Sequence, residues 1–274
     1  MAYPVIDSPY GLKPVNLIGG QVFAGSTREY PMTNNYGTAI FYGDYVGLSR
    51  GEIVRLSVST GTAGNQTGIF LGCRYTNPLT KQLTFSQYYP ASTAAGDTVA
   101  IVADDPDQVF KGVVCSATTA IASGARAMIG QNLAMINNTG STATGNSKNA
   151  ILAPSDTPAT TSTLPVRVLG LVTDTAVSLG TATYTSISTA TVTCSALPFA
   201  LPVGTDVGSL DSNGNYVSYG SFVDTAAAAG ATSFILNQAP VATSNSTIVF
   251  MQYPEILVKI NFGQHQYYAA TSIA

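Results

Sequence analysis

The sequence predicts an all-β protein: a β-barrel or β-sandwich core with an extended N-terminal arm and an inserted small β-rich module. Three observations carry this. Short runs alternate apolar and polar residues with a period of two, clusters of Gly, Pro, Asn and Ser separate those runs, and no segment keeps the three-to-four spacing of a long amphipathic helix. At 274 residues the chain is long enough for one large domain or two modest ones, each with its own core.

Residues 1–31 form the first unit. Pro, Tyr and Gly recur there among isolated apolar residues, a composition that neither closes a helix nor gives regular strand alternation. The segment reads as an extended arm. Because it carries Tyr3, Val5, Tyr10, Leu12, Val15, Leu17, Ile18, Val22 and Phe23, it is expected to lie on a neighbouring surface; a disordered start is the competing expectation.

Residues 32–173 together with 253–266 make the core. In "GEIVRLSVST", Val54, Leu56 and Val58 fall on one face and Arg55, Ser57 and Ser59 on the other, as in a half-buried antiparallel strand. "TGIFLGCRY" and "GDTVAIVADD" are more continuously apolar and suit strands covered on both faces. A strand follows from Val109 to Cys115, "NNTGSTATGNSKN" reads as an exposed loop, and "TLPVRVLGLV" sets Val166 and Val168 inward with Arg167 outward. In the closing strand, "EILVKINF", Ile256, Val258, Ile260 and Phe262 alternate with Glu255, Leu257, Lys259 and Asn261. Residues 267–274 are a short polar-aromatic tail.

Residues 174–252 are a separate, Thr- and Ser-rich block, the inserted module. Its "VGSLDSNGNYVSYGSFV" predicts a hairpin in which Asn213-Gly214 supplies the positive-φ residues of a tight turn. Its "DTAAAAGATSF" predicts one helical turn, capped by Asp224 or Thr225 and stopped at Gly230.

Composition bounds the function. Asp, Glu, Lys and Arg make up 9% of the chain, against roughly 25% in soluble domains. A surface this poor in charge does little to keep monomers apart, so the chain is expected to live in an assembly. With 11 basic against 14 acidic residues there is no basic field to neutralise phosphates, which argues against nucleic acid as a partner. The start, "MAYPVIDSPYGLKP", lacks the basic and continuously apolar regions of a secretory signal, and nothing later is apolar enough to span a bilayer; no membrane partner is expected. Cys73, Cys115 and Cys194, odd in number and widely spaced, read as buried free thiols.

Candidates for chemistry are few. His265 is the only histidine, so it is the only candidate base for a serine- or cysteine-type triad; set in "GQHQYY" next to the C-terminus, it reads as an interfacial side chain on a mobile tail. Asp104, Asp105 and Asp107 in "DDPDQ" could draw a cation or serve as a glycosidase pair, with Asp104 and Asp107 the candidates, but an Asp-Pro turn with carboxylates capping backbone N–H groups explains them more simply. "DSNGNY" begins like a calcium loop, then places Tyr216 where Gly is needed and Phe222 where a bidentate Glu is needed. Gly19-Gly20 lacks the Lys and Ser/Thr of a phosphate loop, and the Asn-x-Ser/Thr triplets at Asn65, Asn137 and Asn245 read as chance matches. No enzyme activity, cofactor or metal is expected.

Several ordered segments carry a resemblance: "PYGLKPVNLIGGQVFAGSTREYP", "GIFLGCRYTNPLTKQLTFSQYYPA", "VADDPDQVF", "GNSKNAILAPSDTPATTSTLPVRVLGLV" and "YPEILVKINFGQHQYY". Together they resemble a family of virion proteins of tailed bacteriophages, including cyanophages and other marine phages. The resemblance implies a capsid decoration, or cement, protein on the capsid exterior that bridges major capsid protein subunits, commonly as a homotrimer. Relatives often join the "RVLGLV" strand to the last strand by a short loop, where this chain carries residues 174–252; that module is expected to project and could engage a host-surface glycan. Tyr10, Leu12, Leu17, Ile18, Phe23 and Tyr30 become the expected arm anchors, and Phe262, His265, Tyr267 and Tyr268 the tail contacts. A tail, baseplate or fibre component is the alternative.

Overall fold

The computed structural model describes residues 6–57, 66–153, 161–240 and 247–268. Among them regular structure is β-strand, with short 3-10 turns at Arg126–Met128 and Thr173–Thr175, and no helix is long and apolar enough to cross a membrane. The all-β expectation is therefore met.

The first half of the chain supplies β1 (Leu12–Leu17), β2 (Arg28–Pro31), β3 (Tyr45–Ser49), β4 (Glu52–Arg55), β5 (Gly68–Thr76), β6 (Leu83–Ser86), β7 (Val99–Ala103) and β8 (Gln108–Ala117). Five of these form a sheet in the order β2-β7-β5-β3-β4, with β6 hydrogen-bonded to the far end of β5. The strand β5 lies between neighbours and is buried along most of its length, as its continuous apolar run requires. Here β4 corrects the sequence reading: Ile53 is the fully buried residue, so Ile53 and Arg55 share the inward phase given to Val54 and Leu56. The reason is Asp44, whose buried carboxylate accepts from Arg55 Nε at 2.8 Å and draws the guanidinium inward. Val58 and Ser59 lie outside the described residues.

A second sheet uses β8 as its hub. After β9 (Ala120–Ile121), β10 (Asn132–Leu133), β11 (Met135–Ile136), β12 (Ala150–Leu152) and β13 (Val166–Leu171) come the inserted strands β14 (Val177–Ser188), β15 (Thr191–Cys194), β16 (Asp206–Leu210), β17 (Tyr216–Thr225), β18 (Ser233–Leu236) and β19 (Thr247–Gln252), and finally β20 (Glu255–Ile260). The sheet runs β10-β13-β20-β8-β12-β11, with β1 and β9 also paired to β8. Its inner face, including Leu12, Phe110, Val166, Val168, Ile256, Val258 and Ile260, packs with Tyr45 and Ile69 of the first sheet as one apolar core. Val166 and Val168 point inward and Arg167 outward, as read from the sequence.

The arm is where expectation and structure part most clearly. Residues 12–17 are a strand of the protein's own sheet, paired antiparallel with β8 from Leu12↔Gly112 to Leu17↔Gln108. Residues 28–31 pair with β7. A chain with free strand edges satisfies its backbone and buries Leu12 by folding the segment back on itself, so no partner is needed to cover Leu12, while Val15, Ile18 and Val22 stay exposed. Met1 to Val5, including Tyr3 and Val5, lie outside the described residues.

The inserted strands close on themselves as a six-stranded barrel, β14-β15-β18-β17-β16-β19, around its own core of Val192, Val207, Val223, Phe234, Ile248 and Phe250. The β16–β17 hairpin forms as expected, but of the pair Asn213-Gly214 only Gly214 takes positive φ, at +80°. Asn213 instead donates its N–H to Asp211 Oδ1 at 2.8 Å, a side-chain mimic of a turn. No helical turn forms in "DTAAAAGATSF": Ala227 bridges Leu201, and the five-residue Ala–Gly run is too short to hold a helix against that pairing. The barrel is seated firmly on the core. Phe222 joins the main apolar cluster, Ser123 N–H donates to the Val203 carbonyl at 3.0 Å, and a Cβ at Gly204 (φ +80°) would sit 1.9 Å from the Ser123 oxygen.

Three further details bear on the sequence reading. The "NNTGSTATGNSKN" segment is a loop exposed at Thr139, Thr142, Ala143, Thr144 and Lys148, as expected, but anchored at its end: Ser147 and Asn149 are buried and bind Asp44, and Phe41 packs against Gly140. Glu255 and Asn261, on the polar phase of the last strand, are buried, while Phe262 falls past its end and is 64% exposed. All three cysteines are buried and free, as expected, and burial pushes the Cys73 thiol up to about 12.

Candidate interface sites

The residues singled out in the sequence fall into three groups. The first is a buckle between arm and tail. Strand β2 carries Arg28 and Tyr30, the end of β7 presents Asp104, and the turn after β20 brings His265 and Tyr267 to the same place. Asp104 Oδ2 accepts from Tyr30 at 2.6 Å and from Tyr267 at 2.7 Å, with Arg28 Nε at 3.2 Å; the two tyrosine hydroxyls are 2.7 Å apart. Arg28 also donates to the Tyr267 hydroxyl at 2.9 Å and lies over its ring. Burial raises both tyrosine pKa values, and the Asp104 carboxylate adds to this, so both phenols stay protonated and donate.

His265 corrects a second expectation. It is buried, not on a free tail: residues 264–266 run beside Gln66 and Thr67, with Gln66 N–H to the Gln264 carbonyl at 3.1 Å and Gln266 N–H to the Gln66 carbonyl at 2.8 Å. Its Nδ1 accepts the Tyr267 N–H at 3.3 Å. Burial lowers its pKa to about 4, against the raising influence of Asp104 and Asp105, so the ring is neutral at pH 7. The buried neutral imidazole accepts from the Tyr267 N–H and packs against the Tyr267 ring, centroids 5.0 Å apart, so it acts here as a packing and hydrogen-bonding group.

The second group lies around Glu255, which is buried on the outer side of the hub sheet. Tyr10 donates to its carboxylate in a short hydrogen bond, and Lys111 Nζ is 3.2 Å away. Lys13 sits 4.2 Å above the Tyr10 ring. Tyr10 and Ile6 thereby cover Val113 and Cys115, a small separate apolar cluster. Two of the expected arm anchors, Tyr10 and Leu12, are thus engaged inside their own chain, Leu12 completely. An open groove lined by Pro14, Val15, Lys111, Leu171, Asp174 and Leu257 runs beside them.

The third group remains on the surface. Ile18 and Val22 are exposed at the tip beyond β1, with Leu17 and Phe23 half-buried beneath. Phe262 and Tyr268 stack on one another, ring centroids 4.9 Å apart, while both face solvent. Residues 269–274 of the tail lie outside the described residues.

The acidic run divides its roles. Asp105 Oδ1 accepts the Asp107 N–H at 2.8 Å, the turn expected of Asp-Pro, and Asp107 pairs with Lys259 at 3.5 Å. Asp104 binds the tyrosine buckle through Oδ2, whereas Asp107 is paired with Lys259. Among the described residues no group of three or more His, Cys, Asp or Glu side chains could hold a metal ion.

Sequence reasoning missed Arg28, Glu255 and Asp44, and it missed the exposed hairpin of β5 and β6. Leu83 and Phe85 alternate with Thr84 and Ser86, which was the available signal, but alternation does not say which side faces the core. No protein-family model matches the chain, and no curated protein or solved structure matches it.

Proposed function

We propose that the protein is a structural component of a tailed-phage particle that decorates the outer surface of the capsid and cements it, bridging major capsid protein subunits as a homotrimer. The mechanism needs no catalysis. A protein that binds only the assembled lattice stabilises it by mass action, and contacts to several subunits multiply through effective concentration.

The observation that carries this reading is the stacked, solvent-facing pair Phe262 and Tyr268, held on a turn that the buried His265 and the Asp104–Tyr267 bond fix to the core. Rigid exposed aromatics suit a wet interface, because they bury much area with little loss of side-chain freedom. The tip at Ile18 and Val22 offers a second contact. Tyr10 and Leu12 are no longer part of the proposed capsid contact.

The test is co-sedimentation of the purified protein with phage heads that lack it. Binding near capsid-subunit stoichiometry, lost on replacing both Phe262 and Tyr268 by Asp while the fold is kept, is the expected result; binding unaffected by the pair sinks the proposed contact. The alternative, a tail, baseplate or fibre component, is favoured by the inserted barrel, which has its own closed core and could act as a glycan-binding head. Densitometry of virions separates the two, since a tail component occurs in few copies, and a glycan array tests the barrel.

A further inference from the structure

The outward face of the first sheet is built as a contact surface. Its cross-strand partners run Pro31↔Val99↔Arg74↔Phe85, with Thr76↔Leu83 on one side and Glu29↔Ile101 on the other, and partners across a sheet share a face. Phe85 is 69% exposed, Leu83 58% and Leu79, at the hairpin tip, 90%. An apolar patch of a few hundred Å² is the size that marks an interaction site on a soluble protein.

Two features say what covers it. First, Lys81 is the only charged residue from Tyr75 to Gly96, so the β6 edge lacks the run of charges that keeps exposed edges apart. Second, the charges the patch does carry are balanced and adjacent: Arg74 binds Glu29 through two hydrogen bonds, at 3.2 and 2.7 Å. Asp97, bound to Thr76 on the same face, adds a second anion beside Arg74, and Lys81 at the hairpin tip a second cation, so the charges balance; such a face is complementary to itself, since a twofold axis brings Arg74 of one copy to Glu29 of the other. A partner of one charge sign would satisfy only half of it.

We infer that this face is an interface between two copies of the chain, Phe85, Leu83 and Leu79 packing together while Arg74 and Glu29 share their ion pairs across it. The contact is twofold, separate from the threefold assembly proposed above, and its test uses the free protein without particles, so that its failure leaves capsid binding untouched.

The test is sedimentation equilibrium of the full chain and its variants. The wild type should associate reversibly, and Phe85→Asp should weaken this on the order of tenfold or more, as expected for loss of an interface anchor. Phe85 is exposed, so its thermal unfolding should be unchanged. Arg74→Glu alone and Glu29→Arg alone should each lose association, because each sets like charges against one another across the twofold axis. A one-to-one mixture of these two variants should recover it, an outcome that an ion pair kept within one copy does not produce. A monomeric wild type, an association indifferent to Phe85→Asp, or a mixture that stays monomeric overturns the inference.

Discussion

Two buried titratable groups should leave opposite marks on stability. Asp206 begins β16 fully buried, accepting from Ser218 Oγ at 2.9 Å, and burial raises its pKa to about 6 against the lowering pull of the Ser218 and Tyr216 hydroxyls and of Arg126. Between the unfolded value near 3.8 and about 6, the folded chain holds a proton that the unfolded chain has lost, so stability falls as pH rises through that window. His265 does the reverse. Its pKa is lowered from 6.5 to about 4, so there the unfolded chain holds the extra proton and stability rises with pH. At about 1.4 kcal/mol per pKa unit, each group contributes on the order of 3 kcal/mol across its window, with opposite sign. In the wild type the two nearly cancel. Asp206→Asn keeps the shape and an acceptor for Ser218 but cannot ionise, so it should gain about 3 kcal/mol relative to the wild type between about pH 4 and pH 7. His265→Gln should move by a similar amount the other way, and the double variant should return to a shallow profile. Urea unfolding at several pH values measures this directly, and the differences between variants remove groups common to all of them, including Asp44, whose buried carboxyl is also raised. Variants that run parallel to the wild type across the range would refute the argument that burial governs these two groups.

Other perturbations test the corrected view of the core and the arm. Asp44→Ala should cost about 3–5 kcal/mol, because the carboxylate satisfies Arg55 Nε, Phe41 N–H, Ser147 Oγ and Asn149 Nδ2 together and its removal leaves the half-buried guanidinium without its carboxylate, held only by the Asn138 carbonyl; chemical denaturation reads the loss, and a near-neutral result would show that water replaces it. Leu12→Ala should cost about 2–5 kcal/mol as a core truncation, whereas Ile18→Ala, on an exposed tip, should stay within about 0.5 kcal/mol. Equal effects at the two positions would return residues 12–17 to the status of a detachable arm.

Strands were legible where burial on one side imposed a period of two and no distant partner overrode it. β13 and β20 show this, with Val166, Val168, Ile256, Val258 and Ile260 inward as the pattern requires. The same logic failed at β4, where a partner 11 residues away in sequence, Asp44, pulled a charged residue to the buried side. It failed again at His265, since nothing in "GQHQYY" announces that Gln66 and Thr67 will flank it.

Of the expected interface residues, the sequence could name apolar and aromatic side chains but not the surface each would meet. Tyr10, Leu12, Tyr30 and His265 found partners 74 to 245 residues away or inside the core, while Ile18, Phe262, Tyr267 and Tyr268 kept exposed surface. Composition and periodicity by themselves determined the all-β class, the free cysteines and the separate block at 174–252, because each follows from local spacing and solvation. Only the tertiary structure decided that the arm is a strand of its own sheet, that the block closes into a barrel, and that Leu79, Leu83 and Phe85 face outward. Those outcomes depend on which strand edges meet, and pairing between distant edges is a property of the whole chain's packing that no short window contains.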